Sequence, residues 1–274
     1  MTQFIEYIKY MILGLVQGIT EILPISSSGH LVLFQHLLNL QEPGLTFEMF
    51  TNMASFIAIV LLFYKDIWTL IKHFFIFLFK PQQRDEVKDD FMYTVKLVIA
   101  IIPIGIAGLL FKDHMGEFKT LLSVGIALFL TGGLLIGIYL TRELRTSHEE
   151  VTFKDALIMG LTQMFAIFPG ISRSGSTIIG GRVQSLSLKS ILKFSFLCYI
   201  LISIPTSALS IYEVIKLGEA INWAGYLLAF GITLVATYFT GKLVMKKLKV
   251  DHLIYFGIYC VLIGITAFVL HFVI

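Results

Sequence analysis

Charge is scarce in this chain. Only 14% of its 274 residues are Asp, Glu, Lys or Arg, against about 25% in an ordinary soluble domain. There are two cysteines, Cys198 and Cys260, and both fall inside apolar runs, where a thiol behaves as a small hydrophobe and says nothing about redox compartment. The start of the chain lacks a basic stretch followed by a small-residue cleavage site, so the N-terminus is expected to be retained and not removed as a signal peptide. Ten-residue alternation of apolar and polar residues is also missing, which excludes an outer-membrane barrel. A formal net charge of +3 is too small to argue for a nucleic-acid partner, and none is expected.

What the chain has is hydrocarbon. Hydrophobic residues make up 57%, 24 of them Phe, and the mean hydropathy is +0.85. Several apolar runs reach the roughly 20 residues a helix needs to cross a bilayer. These features describe an all-α polytopic membrane protein whose first partner is the lipid bilayer.

Within it one stretch occurs twice. Residues 14–30 read GLVQGITEILPISSSGH and residues 160–176 read GLTQMFAIFPGISRSGS. At a constant offset of 146 they share Gly14/Gly160, Leu15/Leu161, Gln17/Gln163, Ile25/Ile171, Ser26/Ser172, Ser28/Ser174 and Gly29/Gly175. Each copy runs from an apolar helix through a proline into a Ser-Gly turn. The proline stops the first helix because it lacks an amide proton and crowds the preceding turn.

The order around the two copies repeats as well. A helical pair over about 2–39 is followed by apolar runs near 46–64, 93–112 and 120–140, the first two separated by the charged segment 80–90. After a polar linker, 142–155, a second pair over about 156–190 is followed by runs near 191–212, 224–245 and 252–273. The predicted architecture is two inverted-topology repeats, 1–141 and 156–274. Together they hold six transmembrane helices and two re-entrant helical hairpins, in one integrated membrane domain. Three crossings per half, an odd number, turn the second half upside down relative to the first. A rival count makes each hairpin's first limb a full crossing. Fourteen Lys and Arg fall in 65–92, 142–154, 189–193 and 242–249, against Lys9, Lys112, Lys119 and Lys216 on the other side. Cytoplasmic loops carry the positive excess, so both termini are predicted outside and the hairpin tips meet near mid-membrane.

The tips carry the chemistry. Gln17 and Glu21 are four residues apart, one turn along a single helix face. A carboxylate embedded in a membrane helix costs a few kcal/mol, so it is read as functional unless it pairs structurally. Ser26, Ser27, Ser28 and Gly29 open the next helix, where free N–H groups and the positive dipole end favour phosphate; ordinary capping accounts for one serine of the three. His30 follows in the first turn as a candidate acid, base or nucleophile. The second tip supplies Ser172, Arg173, Ser174, Gly175 and Thr177. Arg173 carries a permanent cation in a planar fork that suits phosphate oxygens. One carboxylate, one guanidinium, a histidine, several hydroxyls and two helix N-termini suit a phosphorylated lipid headgroup. Lys96 and Arg182 are read as snorkelling near helix ends, the other histidines as bland, and the Phe-rich 74–79 as lipid-facing.

At these residues the sequence resembles the bacterial undecaprenyl-diphosphate phosphatases, also known as bacitracin-resistance proteins. The family's motif (E/Q)xxxE is matched by Gln17 and Glu21, its continuation by PISSSGH at 24–30, and its second motif, PGxSRSxxT, by PGISRSGST at 169–177. The resemblance extends over essentially the whole chain. It implies removal of the terminal phosphate from undecaprenyl diphosphate, recycling the lipid carrier of peptidoglycan synthesis and conferring bacitracin resistance. It also implies a bacterial cell membrane location, inverted repeats with re-entrant hairpins, a site opening to the extracytoplasmic side, and a divalent cation, Mg2+ or Ca2+. Two positions depart from the pattern. Gln17 stands where some members have a second glutamate, so a two-carboxylate metal site is not assumed. Asn52 and Ala54 stand where members often have His or Gln and then Gly, and position 52 is left out of the candidate site.

The reading that follows is an in-line attack on the terminal phosphorus of a polyprenyl diphosphate. Arg173 clamps the non-bridging oxygens, with Ser172, Ser174, Thr177 and the helix-end amides beside it. Ser27 attacks with His30 as base, or His30 attacks directly. Glu21, with Gln17 as a neutral neighbour, holds the cation. The alternative is a transporter or flippase for an anionic polyprenyl lipid, since paired repeats with broken helices are a transporter design. A scaffold has no use for Glu21 and Arg173, and a homodimer is left open. The topology has a direct check. A cysteine at Asp85→Cys is expected to react only with reagents that reach the cytoplasm, and one at Met115→Cys with an impermeant reagent added outside; labelling both from one side would overturn the assigned sides of these loops and the crossing of the run near 93–112.

Overall fold

The computed structural model describes residues 2–40, 46–144, 147–217 and 222–273. Arg145, used in the charge count, lies outside them. Two short helical pairs lie among six long helices, and no strand occurs among the described residues. The first pair is α1 (Thr2–Thr20) and α2 (Ser27–Leu37); the second is α6 (Phe153–Met164) and α7 (Arg173–Val183). The long helices are α3 (Thr46–Phe79), α4 (Arg84–Phe111), α5 (Leu121–Leu140), α8 (Leu188–Leu217), α9 (Trp223–Lys247) and α10 (Leu253–Val273). These six, among the described residues, are long and apolar enough to cross a membrane. The 12 residues of α6 rise only about 18 Å, short of the roughly 30 Å hydrocarbon core.

The charged segment 80–90 differs from its expected role as a break between spans. Helix α3 continues to Phe79 and α4 already starts at Arg84, with a short turn at Pro81–Gln83 between them. Helix α3 has 34 residues in two arms joined by a kink at Phe63 (φ −110°, ψ 16°), and their summed rise of about 51 Å is more than a bilayer needs, so its far arm has length to extend past the hydrocarbon. Straight-chain charged residues are good helix formers and have no reason to unwind in water. The Phe-rich stretch is accordingly split between two roles. Phe74 and Phe77 stack on Phe91 of α4 with ring centroids 5.5 and 3.8 Å apart, while Phe75 and Phe79 stay exposed. His73, bland by sequence, meets Asp90 at 2.5 Å across the same turn. Lys96 and Arg182, expected to snorkel, are buried instead, and Arg182 donates to the Leu186 carbonyl at 2.9 Å.

The duplicated glycines show what the repeat is for. A Cβ on Gly14 would lie 2.6 Å from the Ala229 carbonyl oxygen of α9, and one on Gly160 2.6 Å from the Ala100 carbonyl oxygen of α4. Each copy therefore lays the first limb of its pair directly on a long helix of the other half. The neighbouring duplicated position helps on one side, where the Gln163 amide donates to the Ala100 carbonyl at 2.7 Å. Helices α5 and α10 pack on each other in the same manner, Gly132 against the Gly257 carbonyl and Gly125 against the Gly264 carbonyl. Small residues let backbones approach where lipid offers no hydrophobic drive for helix association. The largest core cluster fills the space among α3, α4, α6, α7 and α8, with Phe194, Phe196, Met159 and Ile191 fully buried.

The close approach gives an expected outcome. Gly132→Ala, whose new Cβ would sit 2.6 Å from the Gly257 oxygen, is expected to lower stability by roughly 1–3 kcal/mol. Gly133→Ala, next door with open space, is expected to be neutral or slightly stabilising through helix propensity. Thermal unfolding of the two variants in detergent checks the contrast; equal midpoints would show that the α5–α10 seam tolerates a methyl group.

Candidate functional site

The two tips are built alike. Ser26 caps α2, its hydroxyl accepting from the Gly29 amide at 3.3 Å; Ser172 caps α7, accepting from the Gly175 amide at 3.0 Å. Each cap is seconded by the serine two places on, with Ser26–Ser28 and Ser172–Ser174 oxygens 3.3 and 3.2 Å apart. The chain before α2 turns sharply enough to force Ser26 to φ 67°, a conformation that a residue with a side chain adopts only under constraint. Before α7 the equivalent strain is absorbed by Gly170, at φ 96°.

The tips touch. Ser174 Oγ donates to the Leu23 carbonyl at 3.0 Å, the Gly170 amide donates to Ser28 Oγ at 3.4 Å, and a Cβ on Gly29 would be 3.1 Å from the Gly170 Cα. Across this seam Arg173 Nη2 donates to Glu21 Oε1 at 3.1 Å. The side chains are 13% and 8% exposed, so the pair is sheltered without being sealed. Arg173 also lies over the Tyr199 ring, 4.1 Å from its centroid, and donates Nη1 to the Ser195 carbonyl at 3.4 Å. Stacking and the carbonyl hold the guanidinium plane on one side and leave the rest of its fork to the seam.

The other oxygen of Glu21 is used differently. Ser27 Oγ donates to Glu21 Oε2 at 2.5 Å, and Gln17 Nε2 donates to the same oxygen at 3.0 Å and to Asn52 Oδ1 at 2.7 Å. These groups face a cavity of about 310 Å³ whose wall includes Glu21, Ser26, Ser27, Ser28, Asn52, Ser172, Arg173 and Ser174. Tyr199, Ser203 and Thr206 of α8 complete its polar side, and Ile104, Ile171 and Ile202 its apolar side. Glu48 lies at the rim in an ion pair with Lys119, which offsets a second negative charge there.

Not every residue singled out by sequence reaches that wall. His30 is fully buried behind it; its Nδ1 meets the Ser26 carbonyl at 2.7 Å and its Nε2 the Tyr259 hydroxyl at 2.9 Å. Ser27 finds its carboxylate partner in Glu21, and His30 serves the backbone of the cap. Thr177 is buried against Ser195 Oγ at 2.7 Å and accepts no role at the surface of the cavity. Gly29 and Gly175 contribute the capped amides, and Gln17 stands behind Glu21 and Asn52. Sequence reasoning missed Asn52 and the α8 face. The spacing of Ser195, Tyr199, Ser203 and Thr206, a polar stripe at helical intervals in an apolar span, was the signal available.

A divalent cation can be tested against these donors. Among the described residues no group of three or more His, Cys, Asp or Glu could hold a metal alone. The oxygen donors present are hard, one carboxylate on Glu21 and one amide oxygen on Asn52, and Gln17 Oε1 is a buried acceptor with no hydrogen-bond partner among the described residues. Such a set fits Mg2+ or Ca2+ when the ligand's own oxygens supply the remaining positions, which is how Mg2+ is commonly held.

Comparison with known proteins agrees along the whole chain. The sequence profile of the family described as bacitracin resistance protein BacA matches residues 10–266. A protein of Acholeplasma laidlawii named undecaprenyl-diphosphatase is 45% identical over 280 aligned positions, covering 100% of both chains. Undecaprenyl-diphosphatase of Oceanobacillus iheyensis is 40% identical, covering 97% of each, and undecaprenyl-diphosphatase 3 of Bacillus anthracis is 40% identical, covering 98% of this chain and 99% of its own.

Removing one member of the seam pair should expose the charge of the other. Arg173→Met alone is expected to cost roughly 3 kcal/mol, and Glu21→Gln with Arg173→Met less than the sum of the two single changes. Unfolding of the four proteins in detergent measures the coupling; strict additivity would mean that the two charges do not sense each other.

Proposed function

We propose the following reaction for a chain that belongs to the BacA family of bacitracin resistance proteins: hydrolysis of undecaprenyl diphosphate to undecaprenyl phosphate and inorganic phosphate. The product is the lipid carrier of peptidoglycan synthesis, so its recycling sustains wall growth and confers bacitracin resistance. The observation that carries the mechanism is a three-residue relay, Ser27 Oγ 2.5 Å from Glu21 Oε2 and Glu21 Oε1 3.1 Å from Arg173 Nη2.

Ser27 Oγ attacks the terminal phosphorus in line with the bridging oxygen, and its proton passes to Glu21. The new Ser27–phosphorus bond forms as the bond from phosphorus to the bridging oxygen breaks. Undecaprenyl phosphate leaves, taking from Glu21 any proton that its oxygen needs, so the carboxylate is free again. Water then attacks the phosphoserine and gives its proton to Glu21; the Ser27 Oγ–phosphorus bond breaks, Glu21 returns the proton to Ser27 Oγ, and inorganic phosphate is freed. Arg173 exchanges its contact with Glu21 for the non-bridging oxygens, whose charge is most concentrated on the attacked phosphoryl group. The Ser26, Ser28, Ser172 and Ser174 hydroxyls sit around the same oxygens, with two helix N-termini behind them. His30, tied between the Ser26 carbonyl and Tyr259, fixes the strained cap that aims Ser27. A divalent cation held by Glu21 and Asn52, with Gln17 in reserve, would neutralise part of the diphosphate charge when bound.

The location follows from the same elements. The two pairs read as re-entrant hairpins, a view that the 12 residues of α6 support for the second pair, whereas α1 with 19 residues is nearly as long as α5; the halves read as inverted repeats, supported by the exchanged packing of Gly14 and Gly160. Glu48 on the cavity wall pairs with Lys119, which the charge count assigns to the lysine-poor side, and this supports an opening to the extracytoplasmic side.

Purified protein in detergent, where no gradient or sidedness exists, is expected to release phosphate from a long-chain prenyl diphosphate and to stop when the cation is chelated. Ser27→Ala, Glu21→Gln and Arg173→Met are each expected to reduce kcat by at least about 100-fold, the scale of one lost transition-state contact. His30→Gln is expected to cost far less than Ser27→Ala. Binding without phosphate release would favour the transporter reading, and a phosphoenzyme trapped on His30 would exclude Ser27 as nucleophile.

A further inference from the structure

A second cavity, of about 670 Å³, lies on the same three long helices as the first. On α3 its residues start at Lys65, thirteen places from Asn52 and just past the kink at Phe63, a separation of at most about 20 Å by helical rise. It is bounded by the segment before α6 and the first turns of α8, where the positive excess of the sequence lies. Nothing in the proposed hydrolysis uses it.

Its lining is amphoteric. Lys96 is 8% exposed, yet its ammonium has Glu150 as its ion-pair partner among the described residues, at 3.8 Å, beyond hydrogen-bond length. Glu150 is itself 91% exposed and offsets little of that charge. The ring of Phe153 lies 5.4 Å from the ammonium and makes one wall apolar. A buried cation so poorly matched is costly unless an anion joins it. Of the other two lining ammonium groups, Lys193 is held by Asp66 at 2.5 Å and Lys65 is exposed to solvent, so neither shares the cost of burial that Lys96 bears. Opposite stand Asp89 and Glu149, exposed carboxylates that line the cavity with no ion pair among the described residues.

A purely anionic ligand would answer Lys96 and be repelled by these carboxylates. A purely cationic one would leave Lys96 unmet. We propose that the second cavity binds the headgroup of a zwitterionic phospholipid, with the phosphate on Lys96 and the amine on Asp89 and Glu149. Its place at the end of the apolar run of α3 puts it at headgroup depth, and Phe153, Met92 and Leu70 offer the first acyl carbons a surface. The proposal is independent of the reaction at the first cavity.

Native mass spectrometry of the purified full chain, with short-chain phosphatidylethanolamine and phosphatidylglycerol added separately, tests it. Phosphatidylethanolamine is expected to be retained roughly tenfold better, and Lys96→Met is expected to lower retention of both lipids by a similar factor, through the lost phosphate contact, while phosphate release from a prenyl diphosphate continues. Should Lys96→Met fail to fold, the surface double variant Asp89→Asn/Glu149→Gln decides, and it is expected to bring the two lipids to equal retention. Competition by soluble glycerophosphoethanolamine would identify the headgroup itself as the recognised chemistry; competition by inorganic phosphate with no dependence on the amine would overturn the proposal. So would equal retention of both lipids by the unaltered protein.

Discussion

The contact between Glu21 and Arg173 joins two turns separated by 152 residues of chain, and most of the site is arranged to make that contact tolerable. Neither charge could sit alone at such depth in an apolar bundle. Paired, each is still incompletely solvated, and the surrounding groups make up the difference. Ser27 and Gln17 donate to the free carboxylate oxygen, and Tyr199 and the Ser195 carbonyl receive the guanidinium. A buried ion pair of this kind contributes little net stability, since desolvation offsets the attraction. It does leave both partners close to a cavity that an anionic phosphate can enter, and that is where its value to the protein lies.

Around the pair, duplicated residues have divided their labour. Serines at equivalent places cap α2 and α7 in the same manner, and equivalent glycines admit a helix of the other half. Yet position 27 is Ser where position 173 is Arg, so the first tip supplies a hydroxyl and the second a cation, the nucleophile and the clamp of the proposed mechanism. Two similar frames carrying opposite chemistry give a composite site that neither frame has alone.

Much of this was legible in the sequence, for physical reasons. Six long apolar runs must become helices in lipid, and the repeated Ser-Gly turns after a proline must break them, so the spans, the tips and the set Glu21, Ser26, Ser27, Ser28, Ser172, Arg173 and Ser174 could be named from composition and spacing. What sequence could not give was direction. His30 is three residues from Ser27, but α2 turns it away from the cavity toward Tyr259 on α10, a contact across 229 residues. Asn52, set aside for departing from a family pattern, meets Gln17 through the packing of α3 beside α1. The extended helices around 80–90 were missed because charge was taken as a sign of a loop, whereas long charged side chains serve helices well outside lipid.

The exchanged packing of the halves also bears on how the protein is made. Gly14 of α1 rests on Ala229 of α9, and Glu21 waits for Arg173, so elements early in this sequence find their partners only after a long further stretch has been synthesised. At about 5–20 residues per second the 152 residues between the two charges take roughly 8–30 s to synthesise. Through that interval a nascent carboxylate must be sheltered by the insertion machinery or stay at the bilayer surface. The helical pair that bears it can complete its packing only once the second pair arrives.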